Sequence, residues 1–203
     1  MVNKTLNMIS QKDFFNSAAK EWDNICKHDT NKIDHIINLL NIQKGSKILD
    51  VGTGTGILIP YLREKVGDEG KIIAIDYSDK MLEIAKKKYI NDNVFFVYGD
   101  ILETALPEEY FDFIICYSVF PHFLNKQLAI STMAKFLKTY GKLTICHSQS
   151  RKEINNLHKN VSEAVSEDNL PEMNVIKKHL KDSGLNIITD IDNDDMFVII
   201  ARK

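Results

Sequence analysis

The stretch from Lys47 to Leu62, KILDVGTGTGILIPYL, limits what this chain can fold into more than any other. Ile48, Leu49 and Val51 form a short, partly β-branched apolar run, the composition of a strand buried on both faces. Gly52, Gly54 and Gly56 follow at alternate positions, and then Ile57, Leu58, Tyr61 and Leu62 recur at helical spacing. Strand, glycine turn and helix make a layout for holding a phosphate or a nucleoside, because glycines let a ligand approach the backbone at a helix N-terminus. Two details separate this turn from a dinucleotide loop. Its spacing is G-x-G-x-G, whereas the pyrophosphate fingerprint is G-x-G-x-x-G. Asp50 also places a carboxylate at the end of the strand, where it would repel a pyrophosphate but suit a ligand carrying an ammonium and a sulfonium.

The segment ILDVGTGTG resembles motif I of the class I, Rossmann-like S-adenosylmethionine-dependent methyltransferases, a hydrophobic-hydrophobic-acidic-hydrophobic-Gly-x-Gly-x-Gly pattern that it matches at every position. The resemblance covers residues 45–147 by motif and 172–203 by topology. It implies an α/β fold: a Rossmann-like three-layer sandwich whose seven-stranded, mostly parallel sheet ends in an antiparallel strand, here with an N-terminal helical cap. It implies S-adenosylmethionine as the methyl donor and S-adenosylhomocysteine as the product. Asp50, Gly52, Thr53, Gly54 and Gly56 would form the turn that holds it, with Tyr117 nearby. An acidic residue after the third strand lies near the adenine amino group in this family; Asp100 is its counterpart, with Met81 and Ile101 flanking the ring. Tyr77, next to Asp76, is a further group at the strand ends where the ligand lies.

The rest of the chain reads consistently with that frame. Asp76 ends a second strand, KIIAID, twenty residues after Gly56, the right distance for an acid that accepts hydrogen bonds from both ribose hydroxyls. Ser78 or Asp79 caps a helix that turns Met81, Leu82, Ile84 and Ala85 inward. Val94–Tyr98 is a third strand and residues 113–120 a fourth, with Asp112 just before it. Leu124 to Leu137 reads as a helix stopped at Gly141, and residues 142–148 as a fifth strand. Two closing strands, LNIITDID and MFVIIARK, flank the short turn Asn193-Asp194-Asp195. We read one domain over 1–203, with a helical cap over 1–44 and an insert over 149–171 that carries Arg151, His158 and Glu163 on a helix. In the cap, Phe14, Phe15 and Trp22 are either core packing or a cover over the cofactor. Phe15-Asn-Ser-Ala-Ala19-Lys-Glu-Trp22-Asp23 is similar to the aromatic-x-x-x-Ala-x-x-Trp/Tyr-Asp opening of many small-molecule methyltransferases.

Four of the six histidines fall where an acceptor would lie: His122 after the fourth strand, His147 at the end of the fifth, His158 on the insert and His28 in the cap. His147, His122 and His158 are the candidate catalytic groups, because imidazole is the side chain suited to take a proton near neutral pH. Each is otherwise a polar residue satisfied by a backbone carbonyl; as a group, with Cys26 near His28, they form a proton relay or hold a metal-bound acceptor. We assign no metal to the protein itself. Arg151 either binds an acceptor carboxylate or forms a surface salt bridge, and Cys116 and Cys146 pack as small hydrophobes.

Composition narrows the partners. Lys and Arg number 26 against 28 Asp and Glu, a net charge of −2 that supplies no attraction for nucleic acid or an anionic membrane. Cys116-Tyr-Ser-Val-Phe-Pro-His122 stands where exocyclic-amine methyltransferases carry Asn/Asp-Pro-Pro-Tyr, and the Pro-Cys motif of cytosine C5 methylation is missing. No apolar run reaches the ~20 residues of a membrane span, MVNKTLNMISQKDFF lacks the apolar core of a leader, and three cysteines fit a reduced, cytoplasmic setting. The expected activity is methyl transfer to a small-molecule acceptor, by in-line displacement in a lidded pocket. A nicotinamide-dependent oxidoreductase and a catalytically silent S-adenosylmethionine-binding module are the alternatives.

Overall fold

The apolar run before the glycines forms β1 (Lys47–Val51), with four of its five residues buried, between two parallel neighbours, β2 (Lys71–Asp76) and β4 (Phe111–Tyr117). This is a computed structural model, and it describes residues 10–203; the first nine residues of the stretch read as lacking a leader core lie outside it. β3 (Val94–Tyr98) extends the sheet beyond β2, and β5 (Leu137–His147) beyond β4. The closing hairpin pairs β6 (Asn186–Asp192) with β7 (Phe197–Arg202), and β7 inserts antiparallel between β5 and β6. The order β3-β2-β1-β4-β5-β7-β6 is the Rossmann-like sheet expected, with one strand reversed.

Helices cover both faces. On one side α3 (Thr30–Leu40) and α4 (Ile59–Val66) bury Ile33, Ile37, Leu40 and Leu62 against Ile48, Ile72 and Ile115. On the other, α6 (Lys126–Phe136), α7 (Arg151–Val161) and α8 (Met173–Asp182) bury Ile130, Met133, Ile154 and Ile176 against Leu49, Ile114 and Ile145. Each such aliphatic side chain stabilises the fold by about 1.5–3 kcal/mol relative to exposure. Helix starts follow local chemistry. Ser10 caps α1 (Gln11–Ala18), Asp29 caps α3, Ser78 caps α5 (Asp79–Lys88), and Ser150 with Glu153 closes a capping box on α7.

Four local readings are corrected. The helix after the glycines starts at Ile59 rather than Ile57, because residues up to Leu58 are used by the turn and Pro60 suits a first helical turn. The cap segment that carries Phe14, Phe15 and Trp22 is not one helix: α1 gives way to a 3-10 turn at Ala19–Glu21 and then α2 (Trp22–Ile25). Gly141 does not stop a helix. α6 ends at Phe136, β5 starts at Leu137, and residues 138–141 bulge opposite Asp112, with Tyr140 rather than Gly141 at positive φ. Asp112 holds the bulge, since its two oxygens accept from Lys138 Nζ at 2.6 Å and from Lys47 N at 2.8 Å. Finally, Glu163 lies in a turn beyond the end of α7.

The direction of chain crossing reverses between β1 and β4, and a crevice opens there at the carboxyl ends of the strands. Among the described residues no helix is long and apolar enough to cross a membrane.

Candidate active site

The glycine turn is pinned to the neighbouring strand. Gly52 N and Thr53 N both donate to Ile75 O, at 2.8 and 3.1 Å. Beyond them Gly54 sits at φ 55° with no atom within 4 Å of where a Cβ would stand, so its backbone faces open space. Asp76 binds it from the next strand: Oδ2 accepts from Gly54 N and Oδ1 from Ser78 N, both at 2.8 Å. Burial raises the Asp76 carboxyl above its ordinary pKa, and the two backbone N–H groups oppose that rise.

The crevice has two lobes of about 420 and 680 Å³, counting their open mouths. Asp100 and Ile101 line the first; Thr53, Gly54, Met81 and Tyr117 line the second. Gly52, Asp76, Tyr77, Val119 and His122 line both. Nine of the eleven cofactor candidates thus meet in one place through four different strand ends, with Met81 coming from α5. Asp50 and Gly56 do not reach it. Asp50 is turned inward, where it accepts from Thr53 Oγ1 at 2.6 Å; burial, reinforced by the charge of Asp76, pushes its carboxyl up to about 7. Gly56 faces the Tyr89 ring. Both shape the turn from behind.

The cap lies over the second lobe. Phe15 packs edge-on against Trp22, Tyr77 and His122, with centroids 5.6, 6.3 and 5.0 Å away, and both Phe15 and Trp22 line the lobe. Phe15 is at the same time buried in a small cluster with Ala19, Met81 and Val165, so the core and cover readings describe one side chain. Asp23 ties the cap to the glycine turn, accepting from Thr55 Oγ1 at 2.6 Å and pairing with Lys88.

The histidines separate. His122 lines both lobes, and its Nδ1 lies 2.6 Å from Asp168 Oδ2. His158 stands behind it, ring centroids 4.9 Å apart, donating from Nδ1 to Asp168 O at 2.9 Å. His28 lines the second lobe and bonds through Nδ1 to Tyr117 Oη at 2.9 Å, with Tyr117 in turn 2.8 Å from Ser148 Oγ. Cys26 Sγ lies 3.4 Å from His28 Nε2. Among the described residues, no three His, Cys, Asp or Glu are arranged to hold a metal ion. Arg151 forms salt bridges to Asp192 and Glu172, away from the crevice. Asp168 escaped the sequence reading: it sits in a polar loop with no periodicity, and its only signal was sharing the 149–171 insert with His158.

His147 is the candidate that the fold withdraws from the chemistry. It is 3% exposed, lines neither lobe, and its Nε2 is sealed from solvent without a hydrogen-bond partner. Burial, helped by His122 and His158, holds its pKa down to about 3 against an ordinary 6.5. The native ring is therefore neutral while the unfolded chain takes up a proton as pH falls below about 6.5, so stability is lost between about pH 6.5 and 3. Replacing His147 with leucine removes both the proton penalty and the orphaned nitrogen. Thermal melts are expected to show the variant more stable than the wild type, by a wider margin at pH 5 than at pH 8; a wild-type melting curve at pH 5 would contradict this reading.

A family model described as a methyltransferase domain matches residues 42–198. The chain belongs to that family, as a class I, S-adenosylmethionine-dependent methyltransferase. The methyltransferase is 29% identical over 143 residues to a demethylmenaquinone methyltransferase of Staphylococcus epidermidis, a match covering 68% of this chain and 59% of that protein. It is 34% identical over 146 residues to a malonyl-[acyl-carrier protein] O-methyltransferase of Priestia megaterium, covering 70% of this chain and 51% of that one. The matches thus span only half to three-fifths of these curated relatives. In shape it is similar to phosphoethanolamine N-methyltransferase 2 of Haemonchus contortus, solved with S-adenosylmethionine, at a TM-score of 0.77 and 16% identity over 97% of this chain and 60% of that one.

Proposed function

We propose that this methyltransferase moves a methyl group from S-adenosylmethionine to a small-molecule acceptor, in a pocket closed by the helices before β1 and by segment 149–171. One observation carries the reading: Gly54 offers an open backbone at the crevice, and the carboxylate that holds it, Asp76, has two oxygens that each keep a lone pair. That pair of groups fits a ribose diol beside a glycine turn. Asp100, Ile101, Met81 and Tyr77 would surround the adenine, while Gly52, Thr53, Gly54 and Tyr117 would hold the amino-acid end. Asp50 and Gly56 would maintain the shape of the turn. When bound, the donor supplies an electrophilic methyl on a positive sulfur, displaced in line. The residues of the chain align the acceptor and keep water out, with Phe15 and Trp22 as the cover. His122 is the group placed to take a proton from the acceptor, with His158 buttressing it.

A small acceptor also fits the printed activity of the Staphylococcus epidermidis relative. A net charge of −2 offers no general attraction for nucleic acid or an anionic membrane surface. Three unpaired cysteines favour a reduced, cytoplasmic setting.

Calorimetric titration tests the cofactor reading. S-adenosylhomocysteine is expected to bind and NADH to give no heat; the reverse would return the oxidoreductase reading. Binding of the nucleoside, with no label passed from methyl-tritiated donor into a broad small-molecule extract, would favour the silent module.

A further inference from the structure

Three separate parts of the chain converge on Asp168, and they define what His122 can do. The carboxylate lies in the loop between α7 and α8, and its Oδ2 is 2.6 Å from His122 Nδ1 and 2.7 Å from Gln11 Nε2 on the cap helix. A carboxylate only accepts, so Nδ1 carries a proton, and whenever the ring is neutral it is Nε2 that is bare. That Nε2 has no protein partner among the described residues, yet unlike His147 Nε2 it is not sealed from solvent, and the ring lines both lobes.

The ring is held from every side. Phe15 meets it edge-on at 79°, and His158 lies against it at 47° while donating to the backbone of the same Asp168. Asn155 on α7 clamps the loop through both hydrogen bonds to Leu170, at 3.1 and 2.7 Å. Lys126 on α6 ties down the turn that carries His122, donating to Pro121 O and Phe123 O at 3.0 Å each. Gln11 closes the circuit by accepting from Tyr77 Oη at 2.8 Å, next to Asp76. The ionisable groups facing His122 are therefore Asp168 from the loop, His158 from α7, Lys126 from α6, Asp76 from β2 and His147 from β5.

We infer that His122 and Asp168 form a general-base dyad, with Asp168 as its positioning residue, and that the acceptor is a neutral acidic hydroxyl, phenolic or enolic. The inference rests on the methyl-transfer reading above. As the acceptor oxygen bonds to the methyl carbon, the carbon–sulfur bond breaks with its electron pair left on sulfur. The hydroxyl proton passes to His122 Nε2, and the resulting imidazolium is neutralised by Asp168 before it gives the proton to water. A hydroxyl is favoured over an ammonium because Phe15 packs against the His122 ring and Val119 and Phe123 line the lobes with it, apolar side chains that offer a cation no partner. Among the described residues the nearby carboxylates are each committed: Asp168 to His122 and Gln11, Asp76 to two backbone N–H groups, Asp23 to Thr55 and Lys88, and Asp100 to Leu102 N and, on the reading above, the adenine. A neutral hydroxyl enters at far smaller desolvation cost and finds an acceptor in Nε2.

Two-bond ¹⁵N–¹H spectra of histidine-labelled protein read the tautomer with no acceptor present. The wild type is expected to show His122 protonated on Nδ1 with a bare Nε2. Asp168→Ala should move the proton to Nε2, whereas Asp168→Asn, which keeps an oxygen for Nδ1–H, should retain the wild-type pattern. In protein saturated with S-adenosylhomocysteine, 2-naphthol should shift the Nε2 resonance and 2-naphthylmethylammonium should leave it in place. A wild-type His122 protonated on Nε2, or an unchanged tautomer in Asp168→Ala, overturns the dyad. A response to the ammonium alone, or to neither probe, overturns the acceptor class. Failure of S-adenosylhomocysteine to bind in calorimetry, with the tautomer as expected, overturns the methyl-transfer reading and leaves the dyad standing.

Discussion

Replacing Asp76 with alanine is expected to weaken S-adenosylhomocysteine binding at least a hundredfold and to lower the melting temperature by several degrees. The two effects have different origins. In the free protein the side chain accepts from Gly54 N and Ser78 N, at a residue only 8% exposed, so truncation strands two backbone donors. Each buried donor left unmade costs about 1–3 kcal/mol, softened here by any water that enters from the crevice. In the complex the same truncation removes a charged acceptor from two sugar hydroxyls, at about 1.5–3 kcal/mol per bond, and lets Gly54 drift from the position the ligand needs. Asp76→Asn should fall between the two, because its amide nitrogen turns a donor toward either Gly54 N or Ser78 N. Differential scanning and isothermal calorimetry on one preparation separate the terms. A variant with wild-type affinity would refute the sugar assignment even if its melting temperature fell.

The fold was legible because its signals are periodic or local. β1, the glycine turn and Asp76 lie within thirty residues, and their spacing reflects one strand–helix–strand unit whose geometry leaves little freedom. The closing hairpin announced itself by two apolar runs around three polar turn residues. What the sequence hid was long-range. Asp50 reads as a charge aimed at a ligand, yet the side chain of the last buried strand position but one has room only to turn back under the loop, where Thr53 satisfies it. His147 ends a strand at the right level, but the alternation of β5 sends it into the interior with Leu143 and Ile145. Asp168 lies 46 residues from His122 in a loop whose composition carries no pattern, and only the packing of α7 brings the two together. Gly141 misled for a simpler reason. A glycine after a helical run reads as a stop, while the conformation that needs positive φ is carried instead by Tyr140 in a bulge.

The second large effect belongs to Gly52, where alanine is expected to destabilise the protein by about 2–5 kcal/mol and to disturb the active site as well. Gly52 sits at φ 68°, a conformation that carries about 1–2 kcal/mol of strain for a residue with a side chain. The added Cβ would stand 2.3 Å from Val119 Cγ2 and 2.6 Å from Val119 Cβ, too close for either to remain in place. Neither side yields easily. Gly52 N is bonded to Ile75 O at 2.8 Å, and the residue before Val119, Ser118, is itself at φ 56° with its N–H bonded to Cys146 O at 3.0 Å. Overpacking of this kind typically costs about 1–3 kcal/mol beyond the backbone strain. Because His122 follows Val119 by three residues in the same tight turn, moving Val119 moves the candidate base too. Val119→Gly in the Gly52→Ala background removes every close atom and should recover the steric part of the loss while leaving the backbone part, so a double-mutant cycle should return a favourable coupling of about 1–3 kcal/mol. Gly54→Ala is the contrasting control. With nothing within 4 Å of its Cβ it should lose only the ~1–2 kcal/mol of backbone strain that its φ of 55° carries, yet it places a methyl where the ligand must approach and should bind S-adenosylhomocysteine far more weakly. Equal melting temperatures for the two alanine variants would mean that the close approach of the first glycine to Val119 contributes nothing. Equal affinity of Gly54→Ala and wild type would mean that the ligand does not lie on the turn at all.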